Sequence, residues 1–218
     1  MKAIAIYLEG GGAGAGSAQQ KADLRTGMDA LLATQKQAAR DKKLGWKLIP
    51  CGSRNQAFDA FDHALQQADE DTLLVLLVDS ENAIAKETKD ADANAQARVK
   101  HLTQRDNWDL SAVAPKQIHL MVQCMEAWIV ADPEELAAYY GKRFHAKSLP
   151  NRQDLEEEPK PDLLDKLKKA TQKTQKGEYA KIKHASNLLA RIDQGRVSQR
   201  CARFATFTAW LSSEIATG

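Results

Sequence analysis

Leu73-Leu74-Val75-Leu76-Leu77-Val78-Asp79-Ser80-Glu81 is the stretch on which the reading of the fold turns. Its aliphatic run shows no polar alternation. That pattern suits a strand covered on both faces, at the centre of a mostly parallel sheet. The run stops on two acids, and an acid ending a buried strand is costly unless it is paired or bound to a cation. Spaced by two in an extended chain, Asp79 and Glu81 share one side, where a single hard cation fits between them.

Toward the N-terminus, Trp46 to Cys51, closed by Gly52, reads as a second strand, and Lys2 to Leu8 as another, ending in Glu9 and glycines. Between them, Ser17 to about Lys43 is alanine-rich, with Leu24, Met28, Leu31 and Leu32 at helical spacing and Ser17 available as a cap. Gln56 to Ala68 predicts an amphipathic helix with Ala57, Phe58, Phe61, Ala64 and Leu65 inward. Toward the C-terminus, Ala83 to Asn94 is weakly patterned and reads as a loop before a helix near Ala95 to Arg105. Ile118 to Val122 completes the strands. Alternation of strands with helices predicts an α/β domain over residues 1–140, its mostly parallel sheet flanked by helices. Residues 141–160, with prolines and the acidic run Glu156-Glu157-Glu158, read as a linker or surface loop. From Pro161 on, a helical extension packs on the sheet domain, giving a second unit over 141–218. On its last helix, Phe207 and Trp210 suit either the core or a homodimer interface.

The 218 residues are 43% hydrophobic and 28% charged, enough for a full core and a solvated surface. A formal charge of +2 excludes a global basic field, so any nucleic-acid contact needs a local patch. Cys51, Cys124 and Cys201 lie far apart without C-x-x-C spacing, which predicts buried, reduced thiols. Their odd number suits a reducing compartment. The opening apolar run is too short for a secretion signal, and no stretch approaches the ~20 apolar residues of a membrane span. The expectation is a cytoplasmic protein with no membrane contact.

In an open parallel sheet, ligands collect beyond the carboxyl ends of the strands. Glu9, Asp79 and Glu81 fall there. Any one of them serves equally well as a helix cap or an arginine partner, whereas together they point to a metal site. Glu126, in Met121-Val122-Gln123-Cys124-Met125-Glu126-Ala127-Trp128, is a further acid among apolar neighbours. Asp132-Pro133-Glu134-Glu135 is a helix start, with Asp132 as its cap.

The glycine loop at 10–16 matches a loose G-x-G-x-x-[GA] pattern at Gly10, Gly12 and Ala15. Against a dinucleotide reading, Glu9 would repel a phosphate without a cation between them, and Pro50-Cys51-Gly52 supplies no acid for a ribose. The absence of G-K-[ST] excludes a P-loop. The glycines instead permit a tight turn and a bulky ligand beside Glu9. Among the basic residues, Lys176, Tyr179, Lys181 and His184 suit phosphate contacts and base stacking, or simply a solvated helix face. Arg54 and Asn55, beside the acids, suit a substrate phosphate or a helix cap. Scattered histidines argue against zinc, and no Ser-His-Asp or Cys-His spacing is present.

Leu8-Glu9-Gly10 and Asp79-Ser80-Glu81, in this alternating order, resemble the motifs of the Toprim domain of topoisomerases, primases and related nucleases. Glu81 replaces the commoner second aspartate and keeps the carboxylate. The chain also resembles "domain of unknown function 4276". The matching blocks are Ile6-Tyr7-Leu8-Glu9-Gly10-Gly11-Gly12, Gly52-Ser53-Arg54-Asn55-Gln56-Ala57-Phe58-Asp59, Leu76-Leu77-Val78-Asp79-Ser80-Glu81, Met125-Glu126-Ala127-Trp128, and Thr174 to His184. These resemblances imply a Toprim-like nuclease dependent on Mg²⁺ or Mn²⁺. Asp79 and Glu81 would hold the metal with Glu9 beside them as general base or acid, and Glu126 would complete the shell or bind a second ion. They also imply an ABC- or AAA-type ATPase encoded nearby, a role in antiphage defence, and DNA or RNA (tRNA included) as substrate. Two other readings stay open: a non-catalytic subunit docking on the ATPase, and a phosphoryl-transfer enzyme acting on small nucleotides.

Overall fold

The computed structural model describes residues 1–12, 14, 17–67 and 71–218. Ala15 of the glycine pattern and Ala68, the expected end of a helix, lie outside them. Four strands, β1 (Ala3–Glu9), β2 (Gly45–Gly52), β3 (Thr72–Asp79) and β4 (Ile118–Met121), form one sheet in the order β2-β1-β3-β4. Every pairing is parallel. β3 sits inside the sheet, as its unbroken aliphatic run requires. Pro50 lies in β2, an edge strand, where its missing N–H breaks no ladder.

Side chains alternate between two cores. Ile4, Ile6, Leu8, Val75 and Leu77 point to one, and Ala5, Leu74, Leu76 and Val78 to the other. The second is closed by Ala57 and Phe61 of α3 (Arg54–Gln67) and Leu102 of α4 (Ala91–Asp106). The first is closed by α1 (Ser17–Leu31) and α2 (Ala33–Asp41). Further along the chain come α5 (Glu126–Val130), α6 (Pro133–Tyr140), α7 (Lys160–Thr171), α8 (Lys181–Leu189), α9 (Gln194–Arg200) and α10 (Ala202–Thr217). Leu167, Leu188, Val197 and Phe204 of these later helices enter the same first core. Phe207 is a core residue too, and Trp210 lies half-buried against His119, ring centres 4.4 Å apart.

Several boundaries differ from the sequence reading. The segment 17–43 is two helices, not one, bending at Leu32 (φ −98°, ψ 25°), whose side chain is fully buried. α4 begins at Ala91, earlier than its apolar pattern, because the Asp90 carboxylate accepts from the N–H groups of Asp92 and Ala93. The stretch 141–160 is irregular and much of it is exposed, but part of it is built into the core. Leu149, Leu155, Glu156 and Glu158 are all buried, and the two acids are paired with Arg203 and with Arg152 and Lys166. Asp132 caps α6 as expected, accepting from Glu135 N at 3.1 Å. All three cysteines are free and buried, which raises their thiol pKa values.

α1 and α8 meet at backbone distance. A Cβ on Gly27 would stand 2.5 Å from the Ser186 carbonyl oxygen. Alanine gains about 1 kcal/mol over glycine in a helix, while overpacking costs about 1–3 kcal/mol. Here the obstacle is backbone, so the cost wins. Gly27→Ala is expected to lower stability by about 1–2 kcal/mol in a urea melt, and an unchanged or raised midpoint would show that α8 lifts freely off α1.

Candidate metal centre at the sheet edge

β1 is flanked by β2 on one side and β3 on the other, so the chain's strand order reverses there and leaves a crevice at the carboxyl ends of β1 and β3. Glu9 ends β1 and Asp79 ends β3. Carboxylate oxygens of Glu9, Asp79 and Glu81 lie within 4.8 Å of one another. The route to this cluster differs from simple strand alternation. β3 stops at Asp79, and Glu81 adopts a left-handed backbone, φ 66°. Ser80 N bonds to Met121 O at 3.0 Å and Glu81 N to Gln123 O at 2.9 Å, holding that turn against the chain after β4. A non-glycine residue in this region costs energy and marks a place the surroundings over-determine.

Asp79 is 1% exposed. Its Oδ1 accepts from Met125 N at 2.8 Å, and its buried Oδ2 has no hydrogen-bond partner. Burial pushes this carboxyl up to about 7, with Glu9 and Glu126 reinforcing the rise and Lys181 and Lys160 opposing it. Glu9 Oε2 accepts from Asp79 N at 3.2 Å and lies 3.5 Å from Arg54.

The cations come from the C-terminal third. Lys160 Nζ is 2.6 Å from Glu81 and 3.6 Å from Asp79 Oδ2. Lys181 Nζ is 3.7 Å from Asp79 Oδ2 and 3.7 Å from Glu126. Burial works against the Lys181 charge, but Asp79, Glu126 and Glu9 outweigh it and hold its pKa above the ordinary lysine value. Lys160, the first residue of α7, is positioned by its N–H to Gln123 Oε1 at 3.2 Å. Four carboxylates therefore face two ammoniums and the Arg54 guanidinium, which Asp106 shares. The excess of negative charge, the all-oxygen donor set and the orphaned Asp79 Oδ2 fit a hard divalent cation.

The other sequence candidates fall in different places. Glu126, 2% exposed, stands outside the three-carboxylate group, across Lys181 from Asp79. Tyr179 is buried and donates its hydroxyl to Glu126 at 3.1 Å, so its ring is not open to a stacking base. His184 is also buried. Its Nδ1 accepts from Ala180 N, and burial plus Lys183 and Lys176 lower its pKa, which disfavours the charged form that a phosphate contact would use. Lys176 is exposed, over the Tyr139 ring at 4.7 Å. Arg54 is committed within the protein: to Asp106 at 2.7 Å, to the Asp79 carbonyl and over Trp108 at 5.1 Å. It fixes the ends of β1 and β3. Asn55 is exposed in the first turn of α3.

Lys160 had no local signal, since Pro159-Lys160-Pro161 reads as a loop. Only charge balance hinted at it: acids gathered at one edge need cations from elsewhere. Asp106 and Trp108, the anchors of Arg54, were equally silent.

Among the described residues, no helix is long and apolar enough to cross a membrane. No curated protein and no solved structure matches the chain. Residues 22–212 match the family described as "Domain of unknown function (DUF4276)". With nearly its whole length matched, Asp79 and Glu81 inside the match and Glu9 before it, this chain belongs to that family.

Proposed function

We propose that the protein is a cytoplasmic, Toprim-like nuclease that hydrolyses phosphodiesters with Mg²⁺ or Mn²⁺. The observation that carries this reading is the convergence of Glu9, Asp79 and Glu81 at the switch point of a parallel sheet, with the buried Asp79 Oδ2 left without a hydrogen bond. A cation held by these residues would neutralise the scissile phosphate and orient water. The chain's own groups do the rest. Glu9, less buried than Asp79, faces the crevice and accepts the water proton. Lys181, with nearly half of its side chain exposed, offers its ammonium to a phosphate oxygen. Arg54 keeps Glu9 and the end of β3 in register. The ATPase partner and the role in antiphage defence are carried by the family resemblance alone.

The second reading, a non-catalytic subunit docked on an ATPase, draws support from the lysines that already satisfy part of the acidic edge. Single- and double-stranded DNA and RNA incubated with Mg²⁺ or Mn²⁺, with and without the ATPase, distinguish the two. Glu9→Ala and Asp79→Ala are each expected to lower cleavage by two or more orders of magnitude, in line with general-base and electrostatic contributions of about 10²–10⁴. Cleavage by these variants at the wild-type rate sinks the nuclease reading and leaves the docking subunit.

A further inference from the structure

A cavity of about 240 Å³ opens beside the acidic edge, between the glycine loop and α8. It shares Glu9, Lys181 and Met125 with that edge. Its remaining walls are mostly apolar: Leu24, Ile182 and Ala185, with Gln20 and Ser186 as polar groups. At the ~30 Å³ that each water occupies in the liquid, the space equals about eight waters. That is room enough for one heteroaromatic base.

The glycines shape this slot in an unexpected way. A side chain at Gly10 or Gly11 would strike α1, at Leu24 or Lys21, and not a ligand. Gly10 and Gly11 are therefore pressed onto α1, and the bare backbone of Gly10 to Gly12 forms one wall of the slot. The close Gly27–Ser186 contact fixes the opposite wall. At the rim stands Ile182, 66% exposed and the one large hydrophobic side chain left in solvent among the described residues. An exposed aliphatic side chain beside a narrow apolar slot is suited to the face of a planar ring.

We infer that this slot takes a single nucleobase of the strand whose phosphate lies against Lys181 and the acidic edge. The inference rests on the nuclease reading and names its substrate class: a base presented outside a duplex, in single-stranded nucleic acid or extruded from a helix. Bases inside a duplex are stacked and paired, and a slot for one base reaches them only after extrusion. The Gln20 carboxamide and Ser186 hydroxyl are the groups placed to meet the base's polar edge.

The test is a binding measurement independent of cleavage. Purified protein is titrated calorimetrically with AMP, UMP and ribose 5-phosphate, with and without Mn²⁺. At least one nucleotide is expected to bind about tenfold tighter than ribose 5-phosphate, the scale of burying part of one apolar face. Ile182→Asp, on the surface and harmless to folding, and Ala185→Leu, which fills the slot, are each expected to abolish that advantage while circular dichroism is unchanged. Nucleotides that bind no tighter than ribose 5-phosphate, or equally tightly to both variants, overturn the slot. Should Ala185→Leu misfold, Ile182→Asp decides alone. Base-dependent binding without metal-dependent cleavage of any strand leaves the slot standing and removes the nuclease reading. Cleavage of duplex and single strand at equal rates, with no base preference, does the reverse.

Discussion

Asp79→Asn is expected to stabilise the cation-free protein at pH 8 while abolishing its response to divalent metal. The carboxyl of Asp79, raised to about 7 in the folded state from 3.8, binds its proton more tightly folded than unfolded. A raised acid therefore makes stability fall as pH climbs from about 4 to about 7, the window between the two values. At 1.36 kcal/mol per pH unit the full penalty is roughly 4 kcal/mol. The substituted carboxamide would resemble the protonated acid, keep an oxygen for Met125 N, and escape the penalty. Thermal melts of both proteins from pH 4 to 8 in EDTA should converge at the acid end and separate toward pH 8. The variant should lead by several degrees, since 1 kcal/mol is worth about 2–4 °C at this size. Adding Mn²⁺ at pH 8 should raise the wild-type melting temperature and leave the variant unmoved. Parallel pH profiles, or a Mn²⁺ shift in both proteins, would contradict the assignment. A site that costs stability until it is filled is one kept for binding.

Arg203→Met carries the largest expected loss of stability. Arg203 and Glu156 are buried on both sides of their pair, 6% and 5% exposed, with Nη1 to Oε2 at 2.8 Å. The Arg203 backbone N–H also donates to Glu156 at 2.7 Å, and the guanidinium reaches the Ala85 carbonyl and Glu87. Removing one partner of a buried pair costs about 3–5 kcal/mol, because the other charge stays buried without compensation. Burial raises the Glu156 carboxyl and Arg203 opposes that rise. Without Arg203 the carboxyl climbs further, so by the same sign the loss deepens as pH increases. Chemical denaturation at pH 6 and pH 8 reads both effects. The double variant Arg203→Met, Glu156→Leu should regain most of the loss. A single variant within about 1 kcal/mol of wild type would show that water reaches Glu156.

The frame of the molecule was written plainly in β3. An aliphatic run that long, ended by an acid, left little choice but a central parallel strand, and Glu9 at the end of β1 followed from the same logic. What stayed hidden was set by distance along the chain. Lys160 reaches Asp79 from a segment anchored by the burial of Glu156 and Glu158, and that burial depends on Arg203, Arg152 and Lys166. Charge runs read as solvated surface unless partners are known, and those partners lie on other elements. Tyr179 and His184 misled for a related reason. Aromatic and imidazole groups beside lysines suit a nucleic-acid face, but helix packing turned both inward, toward Glu126 and the Tyr139–Tyr140 pair.

The two lysines at the acidic edge also have a timing. A ribosome delivers Glu9, Asp79 and Glu81 long before Lys160 and Lys181, so the nascent sheet carries its carboxylates with no ammonium to meet them. The edge is thus completed only when α8 is made, and a chain cut short after α6 would have the strands but lack the charges that finish it.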